Sequence, residues 1–130
     1  MYDNARYVVV FPPDHAPLVL RCDDGDGMQL KSLQDLVGGP IETIPPYDMV
    51  RGFDEPELPT VLIVNEEALL QEPLPARNWS AWLACPIDAP IRGNAILMQV
   101  CGDEWIGFTA RDAESLAYDL AAPDYIGEGG

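Results

Sequence analysis

Proline and glycine are scattered along the whole of this chain, and they limit every element of regular structure to a short length. The 130 residues include 13 Pro and 11 Gly. Proline has a fixed φ and no backbone N–H to donate, and glycine favours turns, so both interrupt helices and sheets. The stretches between them are long enough for a strand or a short helix only. A coiled coil, a collagen and a bundle of long helices are therefore excluded.

Several short stretches that are rich in β-branched and aliphatic residues predict strands. They are residues 6–11, 17–22, 41–44, 60–65, 95–101 and 104–108. A short Pro-rich turn separates the first two, which predicts a hairpin. The stretch 60–65 is almost continuously apolar, as in an interior strand that is buried on both faces. Residues 47–59 contain several breakers and acids, and we expect a long loop there.

Apolar residues at helical spacing predict two helices. The first covers residues 29–37, and Gly38 follows it at the position of a left-handed C-cap. The second begins after Thr109, whose hydroxyl can cap it with Asp112 in a weak capping box, and ends before Pro123. Residues 78–83 allow one or two further helical turns.

This order of elements predicts an α+β fold. We expect one mixed or mostly antiparallel sheet of about five to six strands with two or three short helices. A single α+β domain covers residues 1–122, and residues 123–130 form a polar, flexible C-terminal tail.

The chain is strongly acidic, with 22 Asp and Glu against 7 Lys and Arg and a net charge of -15. Nucleic-acid affinity depends on cations that displace counterions, so we expect no direct binding to nucleic acid. An anionic membrane surface would also repel the protein. Either solubility or mimicry of DNA phosphates explains the acidity. Because the acids are spread along the chain, we expect an acidic coat and no elongated acidic stripe.

Nucleophilic and metal-binding side chains are sparse. The cysteines are Cys22, Cys85 and Cys101, without a CxxC pair, and His15 is the single histidine. We expect reduced thiols, no metal site and no cofactor. A nucleophile needs a neighbouring base, and one histidine in a predicted turn assigns no catalytic residue. Neither a membrane-length apolar run nor a signal peptide is present, so a cytoplasmic location is expected.

Four segments in order form a moderately specific pattern of helix, double glycine, strand, and strand followed by Asn-Glu. They are residues 33–42, 61–67, 74–78 and 91–97. Through them the chain resembles, over about residues 7 to 120, the bacterial and bacteriophage domain-of-unknown-function family 3846. The stretch 47–59 is a longer insertion than the family pattern leads us to expect, and the stretch 79–90 also departs from that pattern. The resemblance implies a cytosolic accessory protein in a bacterial host, often carried by phages or mobile elements, and implies no mechanism.

Polar residues within these segments are candidates for a ligand-binding site: Glu42, Asn65, Glu66 and Asn78. Asn65 and Glu66 lie at the end of a predicted interior strand, where ligand sites collect in open sheets. Amide and carboxylate groups there could recognise a polar ligand by hydrogen bonds. Alternatively, the two asparagines stabilise turns by bonding the backbone.

Trp79 and Trp82 are candidates for partner binding. They are three residues apart, so a helical turn would place both on one face. Tryptophan is enriched at interface hot spots, and an exposed pair would suit a protein partner. Packing in the core or over the sheet is the alternative.

The leading functional hypothesis is a non-enzymatic accessory or protein-binding module with an unidentified protein partner. The alternative is a domain that binds a small molecule or nucleotide through Asn65, Glu66 and Asn78. An acidic DNA mimic would instead need a continuous carboxylate stripe. An enzyme would need a cleft that holds His15 or a close pair of carboxylates with a reactive neighbour.

Overall fold

Short strands and two helices make up the computed structural model, which describes residues 5–13, 15–44, 59–78, 81 and 91–120. The strands are β1 (Tyr7–Phe11), β2 (Leu18–Arg21), β3 (Ile41–Ile44), β4 (Thr60–Asn65), β5 (Ala95–Cys101) and β6 (Glu104–Ile106). The helices are α1 (Leu30–Val37) and α2 (Ala110–Leu120), and Ala68–Leu70 forms a 3-10 turn. Within these residues no helix has the length and apolar character that crossing a membrane requires.

All six strands form one antiparallel sheet in the order β2-β1-β5-β4-β3. The last strand, β6, pairs with the C-terminal half of β5, beyond the part of β5 that pairs with β1. β5 is therefore the central strand, and β2 and β3 are the outer strands of this order. The predicted α+β class with a mostly antiparallel sheet is confirmed, as is the β1–β2 hairpin.

Apolar side chains leave the sheet on both faces, and each face is covered by a helix. Successive residues of a strand point to opposite faces, so a strand that is buried on both sides is apolar throughout. On one face, Leu33 and Val37 of α1 pack against a cluster that includes Ile63 and Met98. On the other face, a second cluster includes Val9, Phe11, Leu62, Leu97, Phe108, Ala113 and Leu116. All six residues of β4 are buried, as its sequence predicted.

Both helices have the caps that the sequence predicted. Gly38 has a φ of 87°, and its amide and that of Gly39 donate to the carbonyl of Gln34 at 2.8 and 3.0 Å. At the start of α2, the Thr109 hydroxyl accepts a bond from the Asp112 amide at 3.3 Å.

The start of α1 is capped by a residue six positions before its N-cap residue, Gln29. The carboxylate of Asp23 accepts hydrogen bonds from the Gln29 amide and from the Ser32 hydroxyl. Local sequence rules search the residues next to a helix, and they therefore missed this cap.

Several element boundaries differ from the predictions by one residue, and one differs by two. The strand predicted at 104–108 ends at Ile106, because the Gly107 amide donates to Asp26 and Phe108 then pairs with Tyr7. Just after β4, Ala68–Leu70 form a 3-10 turn that was not predicted. The predicted loop at 47–59 and the helical turns at 78–83 lie outside the described residues except for residues 59, 78 and 81. The tail at 123–130 also lies outside them.

Candidate functional site

A cavity of about 150 Å³ lies beside β3, on the same face of the sheet as α2. Helix α2 packs mainly over β1 and β2, so this helix leaves the β3–β4 side of its face uncovered. Residues from four parts of the chain line the cavity: Glu42 and Ile44 of β3, Val64 and Asn65 of β4, Glu66, Ala68 and Leu69 after β4, and Ile91 and Arg92 before β5.

The cavity has an apolar floor and an acidic rim. Val64, Ala68 and Ile91 are buried in the floor, whereas Glu42 and Glu66 are exposed at the rim. Glu42 lies opposite Val64 in the β3–β4 ladder. Cross-strand partners share a face of the sheet, so this register directs the Glu42 carboxylate toward the cavity side. The arrangement suits a ligand with an apolar group and a positive charge.

Arg92 is the cationic residue among the described residues that line the cavity. Its guanidinium Nη1 donates to the Pro75 carbonyl at 3.1 Å, and its backbone forms a bridge with Arg77. The neighbouring Ile91 carbonyl accepts a bond from the Asn78 amide at 2.7 Å. Segment 75–78 therefore holds residues 91 and 92 against the cavity. Sequence reasoning did not assign Arg92, because it lies in a stretch without strand or helix periodicity.

Three leucines after β4 are exposed, and we call them the leucine rim: Leu69, Leu70 and Leu74. Their exposed fractions are 61%, 79% and 52%, and Leu69 also lines the cavity. Single exposed leucines are ordinary, whereas three within one short segment are less so. Composition and periodicity alone did not reveal this surface.

Asn65 contributes to the cavity wall, but its side chain bonds the backbone. Its Nδ2 donates to the Val37 carbonyl at 3.3 Å, and its Oδ1 accepts from the Glu67 amide at 2.8 Å. These bonds tie the C-terminal end of α1 to the turn that follows β4. A Cβ atom on Gly39 would stand 2.9 Å from Oδ1, so a larger residue at that position would have to displace the Asn65 amide.

Asn78 lies apart from the other three predicted ligand residues. Its side chain is only 1% exposed, and Nδ2 donates to the carbonyls of Phe11 at 2.5 Å and Gly93 at 2.8 Å. Its Oδ1 accepts from the Ala81 amide at 3.0 Å. The cavity therefore brings together the side chains of Glu42 and Glu66. Asn65 also lines it, but its side chain bonds α1 on the opposite face of the sheet, and Asn78 is not among the lining residues. Both asparagines therefore make the backbone hydrogen bonds that were the alternative to ligand binding. Their ligand-binding role stays a prediction.

Trp79 and Trp82 lie outside the described residues. Their predicted role in partner binding stays a prediction.

A second cavity, of about 360 Å³, lies where the acidic turn after β2 meets the β5–β6 hairpin. Its lining includes Asp24, Asp26, Asp103 and Glu104 beside Trp105. In the described part of the chain no three His, Cys, Asp or Glu side chains are placed to hold a metal ion. Four carboxylates gather here. The predicted acidic coat without a continuous stripe stays a prediction for the whole surface.

The chemistry of Cys22 is that of a structural thiol. Burial, followed by the charge of Asp23, raises the pKa of Cys22 from 9.0 to about 11. The thiolate is the nucleophilic form of cysteine, so Cys22 stays protonated and unreactive near neutral pH. Cys101 is exposed and also has a free thiol.

Comparison with known proteins gives a family match and nothing closer. The family model described as "Domain of unknown function (DUF3846)" matches residues 5–120. No curated protein and no solved structure matches the chain. The matched range includes every strand and both helices of the described residues and all residues that line the two cavities.

Proposed function

Because the chain belongs to the DUF3846 family, whose description names no activity, we propose its function from the geometry of the site. It is a small acidic accessory protein of phage or mobile-element type in the bacterial cytoplasm, without enzymatic activity, and it binds a partner protein. The partner contacts the cavity beside β3 and the leucine rim. The observation that carries this function is the combination of an apolar cavity floor with exposed Leu69 at its edge and two more exposed leucines in the same short segment.

Burial of the leucine rim supplies the affinity. Fully burying a leucine side chain is worth about 1.5–3 kcal/mol, and the rim has three of them, each more than half exposed. The floor formed by Val64, Ala68 and Ile91 offers a pocket for one apolar anchor of the partner. Anchors that fill central pockets dominate the binding energy of protein interfaces.

The acidic rim selects the charge of the partner. Glu42 and Glu66 are exposed beside the cavity, and the whole chain has a net charge of -15. Complementary charge speeds encounter and excludes partners of the same sign. The partner surface is therefore basic around its apolar anchor, and salt weakens the association.

Retention of partners on matched variants tests this function. Leu70→Ser alters the leucine rim, and Leu18→Ser alters an exposed leucine on β2, at the opposite edge of the sheet. Wild type and both variants are immobilised and incubated with a bacterial lysate at low and moderate salt, and retained proteins are identified by mass spectrometry. We expect proteins that wild type and Leu18→Ser retain and that Leu70→Ser loses.

Two results would contradict the proposed function. Equal retention of every protein by all three forms would show that the leucine rim is not the interface. No specific retention by wild type at either salt concentration would contradict protein binding itself.

A small-molecule ligand is a second candidate, favoured by the presence of both charge signs at one cavity. Arg92 and the carboxylates of Glu42 and Glu66 surround a volume of about 150 Å³, and a cavity of about that volume holds a benzene-sized group. A zwitterion with an apolar side chain suits these features. Millimolar phenylalanine and leucine should then raise the melting temperature of wild type and not of Arg92→Gln. No rise with wild type would count against this candidate.

A further inference from the structure

Strand β3 forms one edge of the sheet, and in the described ranges it pairs with β4 alone. The Glu66 amide donates to the Pro40 carbonyl at 2.8 Å, at the start of the β3–β4 ladder. Bonded and non-bonded pairs alternate in an antiparallel ladder. The backbone groups of Glu42 and Ile44 therefore face β4, and those of Ile41 and Thr43 face away from the sheet. Two N–H groups and two carbonyls of β3 thus point outward.

The cavity lies on the side of the sheet to which Glu42 and Ile44 direct their side chains. A strand added beyond β3 would run about 4.8 Å from it. Alternate side chains of that strand would lie beside Glu42 and Ile44, at the mouth of the cavity. The same added strand would thus satisfy the outward backbone groups and reach the apolar floor.

We propose that the partner segment binds as an extended strand added to the edge of β3 that no described strand covers. One apolar side chain of the segment enters the cavity, and its lysine or arginine side chains lie near Glu42 and Glu66. Main-chain bonds supply affinity in this mode of recognition, and pockets for alternate side chains supply specificity. The strand addition rests on the proposed function, because it names the form and the charge of the partner at the same site.

Charge favours a basic segment of another protein over a second copy of this chain. Pairing β3 with its own copy would bring Glu42 toward the Glu42 of that copy, and like charges placed opposite each other are destabilising. It would also join two chains that each have a net charge of -15. An exposed carboxylate on a short edge strand is a usual protection against self-pairing. The same carboxylate attracts a basic strand.

Peptide selection on the full-length chain tests the strand addition. The probes are displayed ten-residue random peptides. We expect the selected peptides to share preferences at every second position, where an apolar residue and Lys or Arg face the cavity and Glu42, because only one face of an added strand meets the cavity.

Thr43→Pro then tests the edge itself. This change removes an outward N–H and no bond to β4, and proline is tolerated at such edge positions. We expect the selected peptides to bind this variant about tenfold more weakly, the effect of about one lost main-chain hydrogen bond.

Arg21→Pro on β2 is the matched control. The Cys22 amide donates to the Arg6 carbonyl at 2.8 Å, so the same alternation directs the Arg21 backbone to the outer edge of β2. The loss of an arginine makes the chain more acidic, which would not weaken the binding of a basic peptide. We expect this variant to bind the peptides as wild type does.

Hydrogen exchange on wild type gives a readout that needs no variant. Binding of a selected peptide should slow exchange at the amides of Ile41 and Thr43 and leave those of Glu42 and Ile44 nearly unchanged. If exchange at Ile41 and Thr43 stays unchanged, strand addition is wrong even where Thr43→Pro disturbs folding.

The remaining outcomes separate the strand addition from the proposed function. Strand addition would be overturned if the selected peptides have helical spacing, or if they bind Thr43→Pro as well as wild type. If these peptides still lose binding to Leu70→Ser, the proposed function stands. Absence of any peptide whose binding depends on Thr43 or Leu70 would overturn both. If wild type sediments as a dimer and Thr43→Pro sediments as a monomer, β3 pairs with a second copy of the chain instead.

Discussion

Replacing Asn78 with alanine removes one buried side chain that holds three separate parts of the backbone together. The side-chain amide of Asn78 donates to the carbonyl of Phe11, at the end of β1, and to the carbonyl of Gly93. It also accepts from the amide of Ala81. Asn78→Ala leaves these three backbone groups without that partner at a site that is only 1% exposed.

The number of lost bonds determines the expected loss of stability. Truncation that leaves a buried partner unsatisfied costs about 1–3 kcal/mol per bond, and carbonyls with a second lone pair fall at the lower end. Three bonds at about 1 kcal/mol each lower the free energy of unfolding by about 3 kcal/mol. Asn94→Ala is the matched control, because Asn94 Nδ2 makes one bond, to the Leu36 carbonyl at 2.8 Å. Its expected cost is about 1 kcal/mol.

Equilibrium unfolding in urea, followed by circular dichroism, measures both losses. With a slope of about 1.5 kcal/mol/M, the midpoint should fall by about 2 M for Asn78→Ala and about 0.7 M for Asn94→Ala. Equal shifts for the two variants would refute the assignment of Asn78 to backbone support. An unchanged midpoint with lost ligand or peptide binding would instead make Asn78 a binding residue.

Three further predictions concern close packing and titration. Gly107→Ala should lower the melting temperature by about 10 °C, because the new Cβ would stand 2.5 Å from Cys22 Sγ and 2.7 Å from a β1 backbone oxygen; a change of under about 2 °C in calorimetry would contradict this. At pH 8 a thiol reagent should label the exposed Cys101 and spare Cys22, because burial raises the pKa of Cys22 to about 11; equal labelling in peptide mass mapping would be inconsistent with that. The hydrogen bond from Ser32, and then the Gln29 amide, lower the pKa of Asp23 below 3.8, so its stabilisation is present at neutral pH and is lost as pH falls through the lowered pKa. Ser32→Ala should therefore cost more stability at pH 7 than at a pH below the lowered pKa of Asp23 in urea unfolding, and equal losses would show that the bond does not depend on the charge.

Local signals were sufficient for most of the secondary structure. The predictions 41–44, 60–65 and 95–101 match β3, β4 and β5, because breakers or polar turn residues bound each apolar run. The end of α1 was equally clear, since a glycine in the left-handed conformation is a frequent helix stop.

The candidate site could be predicted only in part. Recognisable strand signals include or precede Glu42, Asn65 and Glu66, and these residues do line one cavity. Arg92 and Leu69 have no such signal, because they reach the cavity through tertiary contacts of irregular segments. The sequence left two roles open for the asparagines, and it could not show how close Asn78 lies to its backbone partners.

The sequence by itself determined the approximate places of the described strands and helices, the α+β class and the strong acidity, because propensity, breakers and charge act between near neighbours or need no geometry. Only the tertiary structure decided that β5 is central, that β3 is an edge and that the cavity lies beside it. Those features depend on pairings between distant residues, such as Asn78 with Phe11, 67 residues apart. Closing such long loops costs entropy that many contacts must repay together, so no single stretch of sequence specifies the result.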